Sequence, residues 1–463
     1  MPRSRLIIVG AGPVGLFLAG LMAQAGVDTR VYERRPDPRC DSRPAMRPSV
    51  NLALSLRGLR QLDHLGLARS VLSRSAAAYG RLVHSFGGGS HFEPYSRHGH
   101  ALHFVLRSDL ERLLIERIER LPGLKLHFGA RCADVDADAV SVRLEHSPGD
   151  RTETVFADAI VAADGGYSTV RRVLMSRGRF DYQQRYLDHG YKELTIEPRG
   201  TGRHELESGV LHVWRREGRM LLGFPNHDGT LTLSLYQDFE GSGSFGEVRD
   251  EEALRALFAR EFPEVGPLSS RVIADYVRQR PNAMMTVRCA PWTLADRVAL
   301  IGDAAHAVVP HLGQGVTAGF EDCVCLAGCV QRCGPEQDAW SAALAEYAAA
   351  RLPDADAIAD LALAHVGVLR GDADSGDPLD VRIGAALDEE LGLGVPTVYE
   401  LVAFTMVPFS QVLEHQRTRE SLVRRVRTRL ASAPGDDEIR AAVRAVASEL
   451  AASEREPASP AVT

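Results

Sequence analysis

The chain lacks any apolar run long enough to span a bilayer, and its Met1-Pro-Arg-Ser4 start reads as going directly into the first strand. A membrane protein is not expected; a cytoplasmic one is. A basic excess is also missing: the formal net charge is -7, which leaves no electrostatic footprint for nucleic acid. Cysteine is scarce, seven in 463 residues, and does not suggest a disulfide framework. Four of the seven, Cys323, Cys325, Cys329 and Cys333, crowd one helical segment among Val, Leu, Ala and Gly. With no histidine or acid interleaved they read as small core residues, and no metal is expected. No internal repeat stands out.

What remains is the composition of a soluble globular protein, 45% hydrophobic and 25% charged, with a length that predicts two or three folding units. Near the start, Leu6-Ile-Ile-Val9 reads as a buried strand, Gly10-Ala-Gly12-Pro-Val-Gly15 as a tight turn and Leu16 to Ala25 as a helix. A second strand, Thr29 to Tyr32, ends in Glu33, an acid about 20 positions on that suits an adenosine ribose hydroxyl. Dinucleotide binding is the strong reading. Gly87-Gly-Gly89, read as having neither a preceding apolar strand nor a following helix, is not a second copy. One dinucleotide is therefore held firmly, and a nicotinamide cofactor would only visit.

A second constellation runs from Ala299 to Asp322. Ala299-Leu-Ile is a short apolar strand, Asp303 leaves its end as a hydrogen-bond acceptor, and Gly313-Gln314-Gly315 lets backbone approach a flat ring. The helix starting near Val316 aims unpaired N–H groups and its positive end at that ring. A third segment, Phe156 to Arg172, joins a buried strand, an Asp164-Gly165 turn and a helix start at Ser168, where helix capping is the plain alternative role for Asp164.

Elsewhere, Leu110 to Leu121 has helical periodicity, and Gly123 to Phe128 returns as a strand before an alternating stretch up to Glu145. From Tyr182 to about Tyr276 the pattern turns to strands, among them Met220-Leu-Leu222-Gly-Phe224, whose alternate residues Met220, Leu222 and Phe224 share one face, either an apolar roof over the ring and its substrate or, for any single one, plain sheet core. After Gly334-Pro335 the chain is alanine-rich and helical through Leu450, interrupted near Gly371 to Pro378, and Pro457 to Thr463 is a polar tail expected to be disordered.

The three motifs together resemble the signatures of flavoprotein aromatic hydroxylases. The strings Ser49 to Ser55, Arg81-Leu-Val-His-Ser85, His189-Gly-Tyr-Lys-Glu-Leu194, Phe224-Pro-Asn226 and Gly302 to Asp322 narrow this: the chain resembles the kynurenine 3-monooxygenase family over most of its length. The resemblance implies an α/β fold, a Rossmann-like FAD-binding domain with an interleaved, mostly antiparallel β-sheet substrate domain and a C-terminal helical region. The expected boundaries are 1–180 (with a substrate-site segment near 74–106) and 277–333 for the FAD domain, 181–276 for the sheet, 334–452 for the helices and 453–463 for the tail.

The resemblance also implies non-covalent FAD, transient NADPH, O2, and hydroxylation ortho to the amino group of an aniline-type ring by a flavin C4a-hydroperoxide. No catalytic acid or base is nominated, since the cofactor carries the chemistry. The dinucleotide turn supplies Gly10, Gly12 and Gly15, with implied FAD contacts at Val14, Glu33, Arg34, Arg35 and Ala53. Further implied contacts fall at Arg107, Cys132, Asp303, Val316 and Thr317, and the Asp164 turn couples the flavin and pyridine-nucleotide sites. Arg81 and Tyr95, with Tyr399, fall where the family holds the substrate carboxylate, a task suited to a guanidinium fork and phenol donors.

Two departures bear on the substrate. Pro310-His311-Leu312 stands where the family has Pro-Phe-Phe or Pro-Phe-Tyr, and His365-Val366 stands for an Asn-Tyr pair. The expected substrate is kynurenine or a kynurenine-like ortho-aminoaryl amino acid, with a substituted analogue, as in secondary metabolism, placed first. The membrane-anchoring tail of eukaryotic members is not expected, because Arg440 to Thr463 is too polar. A flavin reductase or oxidase on the same fold, and a flavin-binding protein without turnover, remain alternatives. Oligomeric state is not legible.

Overall fold

The computed structural model describes residues 4–40, 51–147, 149, 151–197, 206–334, 339–370, 378–390, 396–431 and 434–453. Ser49, the Gly371 loop as far as residue 377 and the tail from residue 454 lie outside them.

A six-stranded sheet organises the cofactor half, with Thr293–Leu294, Val298–Leu300, Ala159–Ala162, Arg5–Val9, Asp28–Glu33 and Leu124–Phe128 in spatial order. All neighbours are parallel except the first pair. Arg5–Val9 is apolar after its first residue and buried on both faces, as a central parallel strand must be. The helix after it, Pro13–Gln24, begins three residues before the expected Leu16, because Pro13 sits at the first helical position, where a missing N–H costs nothing. It is wedged between the sheet and the helix Gly315–Cys333, and Phe17 meets Phe320 at 4.6 Å between centroids. Cys323 and Cys329 lie in that core, Cys325 and Cys333 at its margin.

A seven-stranded sheet forms the other half, in the order Asn282–Ala290, Asp181–Ile196, Leu231–Asp238, Arg219–Pro225, Leu211–Arg216, Gly80–His84 and Ser90–Pro94. The expected strands between residues 181 and 276 are present. Two features differ from expectation. Gly87-Gly-Gly89 does follow a strand, Gly80–His84, and is the hairpin turn into Ser90–Pro94, all three glycines having positive φ. The region before Tyr276 also holds two helices, Glu251–Glu261 and Ser270–Arg278, capped by Asp250 and Ser269. Their apolar faces cover the outer side of the sheet, where Leu221, Leu233 and Leu235 point. The opposite face carries Met220 and Leu222 toward the helices of the C-terminal part.

Those helices are Trp340–Arg370, Pro378–Glu390, Val398–Phe404, Phe409–Arg427 and Asp436–Ser453. Among the described residues no helix is long and apolar enough to cross a membrane.

Candidate active site

The dinucleotide turn is built so that nothing but hydrogen fits at two of its glycines. A Cβ on Gly10, whose φ is +103°, would lie 2.4 Å from the Ala163 carbonyl oxygen, and one on Gly15 would lie 2.1 Å from the Gly10 carbonyl oxygen. Gly12 is roomier, its nearest neighbour being Arg107 Nη2 at 3.3 Å from a notional Cβ. Glu33 caps the arrangement: Oε2 accepts from the Ala11 N–H at 2.8 Å and Oε1 from Arg35 Nε at 3.0 Å. Burial alone would raise the Glu33 carboxyl, but Arg35 and these donors hold it below its usual range. Arg35 reaches on to Glu111, which accepts from Arg107 Nε at 3.0 Å, so a chain of alternating charge ties Glu33 to the helix Arg107–Ile118. Glu111 was missed in the sequence; its spacing of four from Arg107 was the available signal.

Arg34 is exposed beside Arg35. Cys132 lies in the strand Ala130–Asp136, adjoining this end of the site through the Gly129 N–H, which donates to the Arg35 carbonyl at 3.0 Å. Its thiol is buried, pushed up to about 12 chiefly by that burial.

The second motif folds against the first. Gly302, at φ +58°, puts its Cα side against Val14, and Asp303 opens a short helix, Asp303–His306, with its carboxylate exposed to the cavity. Gly313, at φ +65°, approaches Ala53, and Gly315 starts the helix Gly315–Cys333. Thr317 Oγ1 and Gln314 Oε1 are buried without a partner among the described residues. Asp164 divides its roles: Oδ2 caps the helix Thr169–Ser176 through the Thr169 N–H at 2.7 Å, while Oδ1 is buried with no partner. Glycine cradles, orphaned acceptors and an unpaired helix terminus, grouped around one cleft, fit a dinucleotide with a polyhydroxylated linker and a flat ring.

Beneath the Asp303 turn lies a buried ionic knot. Asp322 accepts from His306 Nε2 and from Arg351 Nε at 2.8 Å, and Arg57 pairs with Glu321. Burial opposes the charge on Asp322, yet His306 and Arg351 outweigh it and hold the carboxyl at about 2.

A cavity of about 240 Å³ opens between this machinery and the seven-stranded sheet. Ala53, Arg107, Asp303, Gly313, Gly315 and Val316 face it from the cofactor side. Leu222 and Phe224 line the sheet side, while Met220, on the same face, packs behind them without lining it. Phe224 meets Phe104 edge-on at 5.2 Å. His311 is buried with its ring 5.6 Å from Tyr236, and Leu312 is buried at the cavity wall.

Arg81, Tyr95, Tyr399 and His365 converge at one end. The guanidinium carbon lies 5.4 Å and 5.0 Å from the centroids of Tyr95 and Tyr399, whose rings stack at 5.5 Å. Arg81 Nη2 donates to His365 Nε2 at 3.4 Å, while Arg81 Nε and the Tyr95 hydroxyl have no hydrogen-bond partner among the described residues. Burial first, then Arg81 and Arg215, bring His365 down to about 3, so its ring is neutral at physiological pH. The result is a cation between aromatic faces with unspent donors, an arrangement whose chemistry suits a carboxylate.

Sequence reasoning also missed Glu193, Tyr191, Tyr236 and Asn51, which line the same cavity. Tyr191 and Glu193 share a strand face by simple alternation, and the strings around Asn51 and Asn226 are joined by an Asn51 Nδ2 to Asn226 Oδ1 bond of 2.7 Å.

Residues 3–362 match the family described as FAD binding domain. The kynurenine 3-monooxygenase of Salinispora arenicola (strain CNS-205) is 38% identical over 438 residues, 94% of this chain and 95% of that one. Its namesake from Salinispora tropica is 39% identical over 435 residues, covering 93% and 94%. The solved tetrameric form of 2-methyl-3-hydroxypyridine-5-carboxylic acid oxygenase has the same fold, with a TM-score of 0.65 at 22% identity over 80% of this chain and 94% of that one. The chain belongs to the kynurenine 3-monooxygenase family of FAD-binding proteins.

Proposed function

We propose that the protein is an FAD-dependent monooxygenase that hydroxylates kynurenine, or a kynurenine-like ortho-aminoaryl amino acid, at the position ortho to its amino group. The balance is one NADPH, one proton and one O2 consumed for one hydroxylated ring, one NADP+ and one water. The observation that supports this reading is one cavity lined both by Arg81, Tyr95 and Tyr399 and by the flavin-side loops, as an aryl amino acid held between a carboxylate clamp and the cofactor requires. At about 240 Å³ it is small beside ordinary ligand pockets of about 300–1,000 Å³, as a compact ligand requires.

Bound FAD supplies the electron relay and the oxygen transfer. The chain's own residues bind and orient. Glu33 and the Gly10 to Gly15 turn would hold the adenosine and pyrophosphate, Asp303 the ribityl chain, and the N–H groups at Gly315 to Thr317 the pyrimidine edge of the ring. Arg81, Tyr95 and Tyr399 take the substrate carboxylate, and Leu222, Phe224 and Leu312 exclude water around the ring. Seven free cysteines fit a reducing compartment, and we place the enzyme in the cytoplasm.

His311, Leu312 and His365 favour a substituted analogue over plain kynurenine. Leu312 and Tyr399 also border a neighbouring cavity of about 440 Å³, lined in addition by His365, so the clamp end has room beyond it. The test is rapid-mixing reduction of the bound flavin by NADPH with and without an aromatic amino acid. Substrate should accelerate reduction clearly; equal rates would favour a plain reductase.

A further inference from the structure

Glu193 lies in the strand Asp181–Ile196 opposite Ser234 and is 5% exposed. It lines the active-site cavity with Tyr191, Ser234 and Tyr236, yet has no cation partner and no hydrogen bond among the described residues. Burial pushes its carboxyl up to about 7. A buried acid with nothing to satisfy it is costly, and what it faces is the space where the substrate sits.

Its position relative to Arg81 follows from the sheet. Arg81 is on Gly80–His84, and three strands, Leu211–Arg216, Arg219–Pro225 and Leu231–Asp238, intervene before Asp181–Ile196. Register puts Arg81 beside Leu211 and Leu211 in line with Phe224, while Glu193 pairs with Ser234 and Ser234 with Leu222. Both side chains therefore leave the same face, on backbones about 19 Å apart from four spacings of about 4.8 Å. Reaching inward, they bracket the cavity end to end, a cation at one end and a carboxyl at the other. The carboxyl end adjoins Tyr236 and hence His311, on the flavin-side loop.

We propose that Glu193 is a substrate-positioning residue, its carboxylate accepting a hydrogen bond from the aryl amino group and so fixing which ring carbon faces the flavin. The assignment rests on the kynurenine-like substrate proposed above. That substrate carries an anion for Arg81 and, beyond the aryl ketone that joins side chain to ring, an N–H donor for Glu193. The two contacts define length and rotation together, which a carboxylate clamp alone does not.

The test is a thermodynamic cycle on FAD-loaded protein. Dissociation constants of kynurenine and of its analogue lacking the ring amino group are measured for the wild type, Glu193→Leu and Glu193→Gln by perturbation of the flavin spectrum. Deleting the amino group should weaken wild-type binding about tenfold or more, as for a hydrogen bond to a charged group. In Glu193→Leu the two ligands should bind within about threefold of each other, with Glu193→Gln between. Should the Leu variant fail to retain FAD, the Gln variant decides alone, by whether the ligand difference shrinks. A ligand difference unchanged by either substitution overturns the assignment of Glu193 and leaves the functional reading intact. Failure of the wild type to bind either ligand overturns the functional reading and this assignment with it.

Discussion

Arg81 and His365 meet at 3.4 Å, the guanidinium donating to a ring nitrogen that stays unprotonated because His365 is held near 3. Arg81 can only donate, so the His365 proton resides on Nδ1. The pair therefore presents one fixed cation, not two, to an incoming carboxylate, and its charge does not change between pH 5 and 9.

Arg81→Met should weaken substrate binding by more than tenfold while leaving FAD content per chain unchanged. Truncating one partner of a buried charge pair typically costs about 2–5 kcal/mol. Ligand titration of the holoprotein checks it, and wild-type affinity in the variant would remove Arg81 from the site.

The dinucleotide turn gives a graded prediction. Gly15→Ala forces a Cβ against the Gly10 carbonyl oxygen at 2.1 Å and should abolish FAD retention, whereas Gly12→Ala meets only the movable end of Arg107 at 3.3 Å and should reduce it mildly. Absorbance of the purified proteins reads both. Equal flavin content in the two variants would contradict the order.

Asp322 makes a pH prediction. Its folded value of about 2 lies below an unfolded one of about 3.9, so its contribution is complete above that unfolded value and is lost as pH falls through about 2. His306 is raised by Asp322 against the opposing effect of burial, so its contribution is present below about 6.5 and is lost as pH rises through its folded value. Asp322→Asn leaves His306 without its anion and removes one of the three carboxylates around Arg351, the others being Glu321 and Asp354, and should cost about 3–5 kcal/mol near neutral pH. Urea unfolding should show the gap between variant and wild type narrowing from about pH 5 downward. A gap that is constant with pH would mean that packing, not charge, is what the substitution disturbs.

How much of this was legible depended on whether the signal was contiguous. The Gly10 to Glu33 fingerprint and the Asp303 to Val316 loop could be read because each is one strand, one turn and one helix in sequence, so geometry follows from spacing. Arg81 and Tyr95 come from the two arms of one hairpin, and His365 and Tyr399 from two helices far along the chain; nothing local marks them, and only the family resemblance singled them out. Glu193 was hidden because an acid in an alternating strand usually faces solvent, and burial on that face is decided by helices placed much later in the chain. The pairing of Gly80–His84 with Leu211–Arg216 was equally out of reach, being a parallel contact across more than 100 residues. The caps at Asp250 and Ser269, by contrast, were readable helix starts within a region assigned to strands.

Leu312 and His365 predict substrate preference. In competition between kynurenine and analogues bearing a ring substituent or an extended amino-acid end, an analogue should have the highest kcat/KM. One gained or lost methyl-sized contact is worth only about 1–3 kcal/mol, so kynurenine should still turn over slowly. Kynurenine ranking first would show that these positions changed without changing the substrate.

Everything above converges on oxygen transfer to an aryl amino acid bound between the Arg81 clamp and the FAD site. Mass spectrometry of the product formed with NADPH under 18O2 tests it most directly. The product should contain one 18O atom, carried on the ring carbon ortho to the amino group. NADPH consumption that yields hydrogen peroxide and unlabelled starting material with every aryl amino acid offered would contradict it.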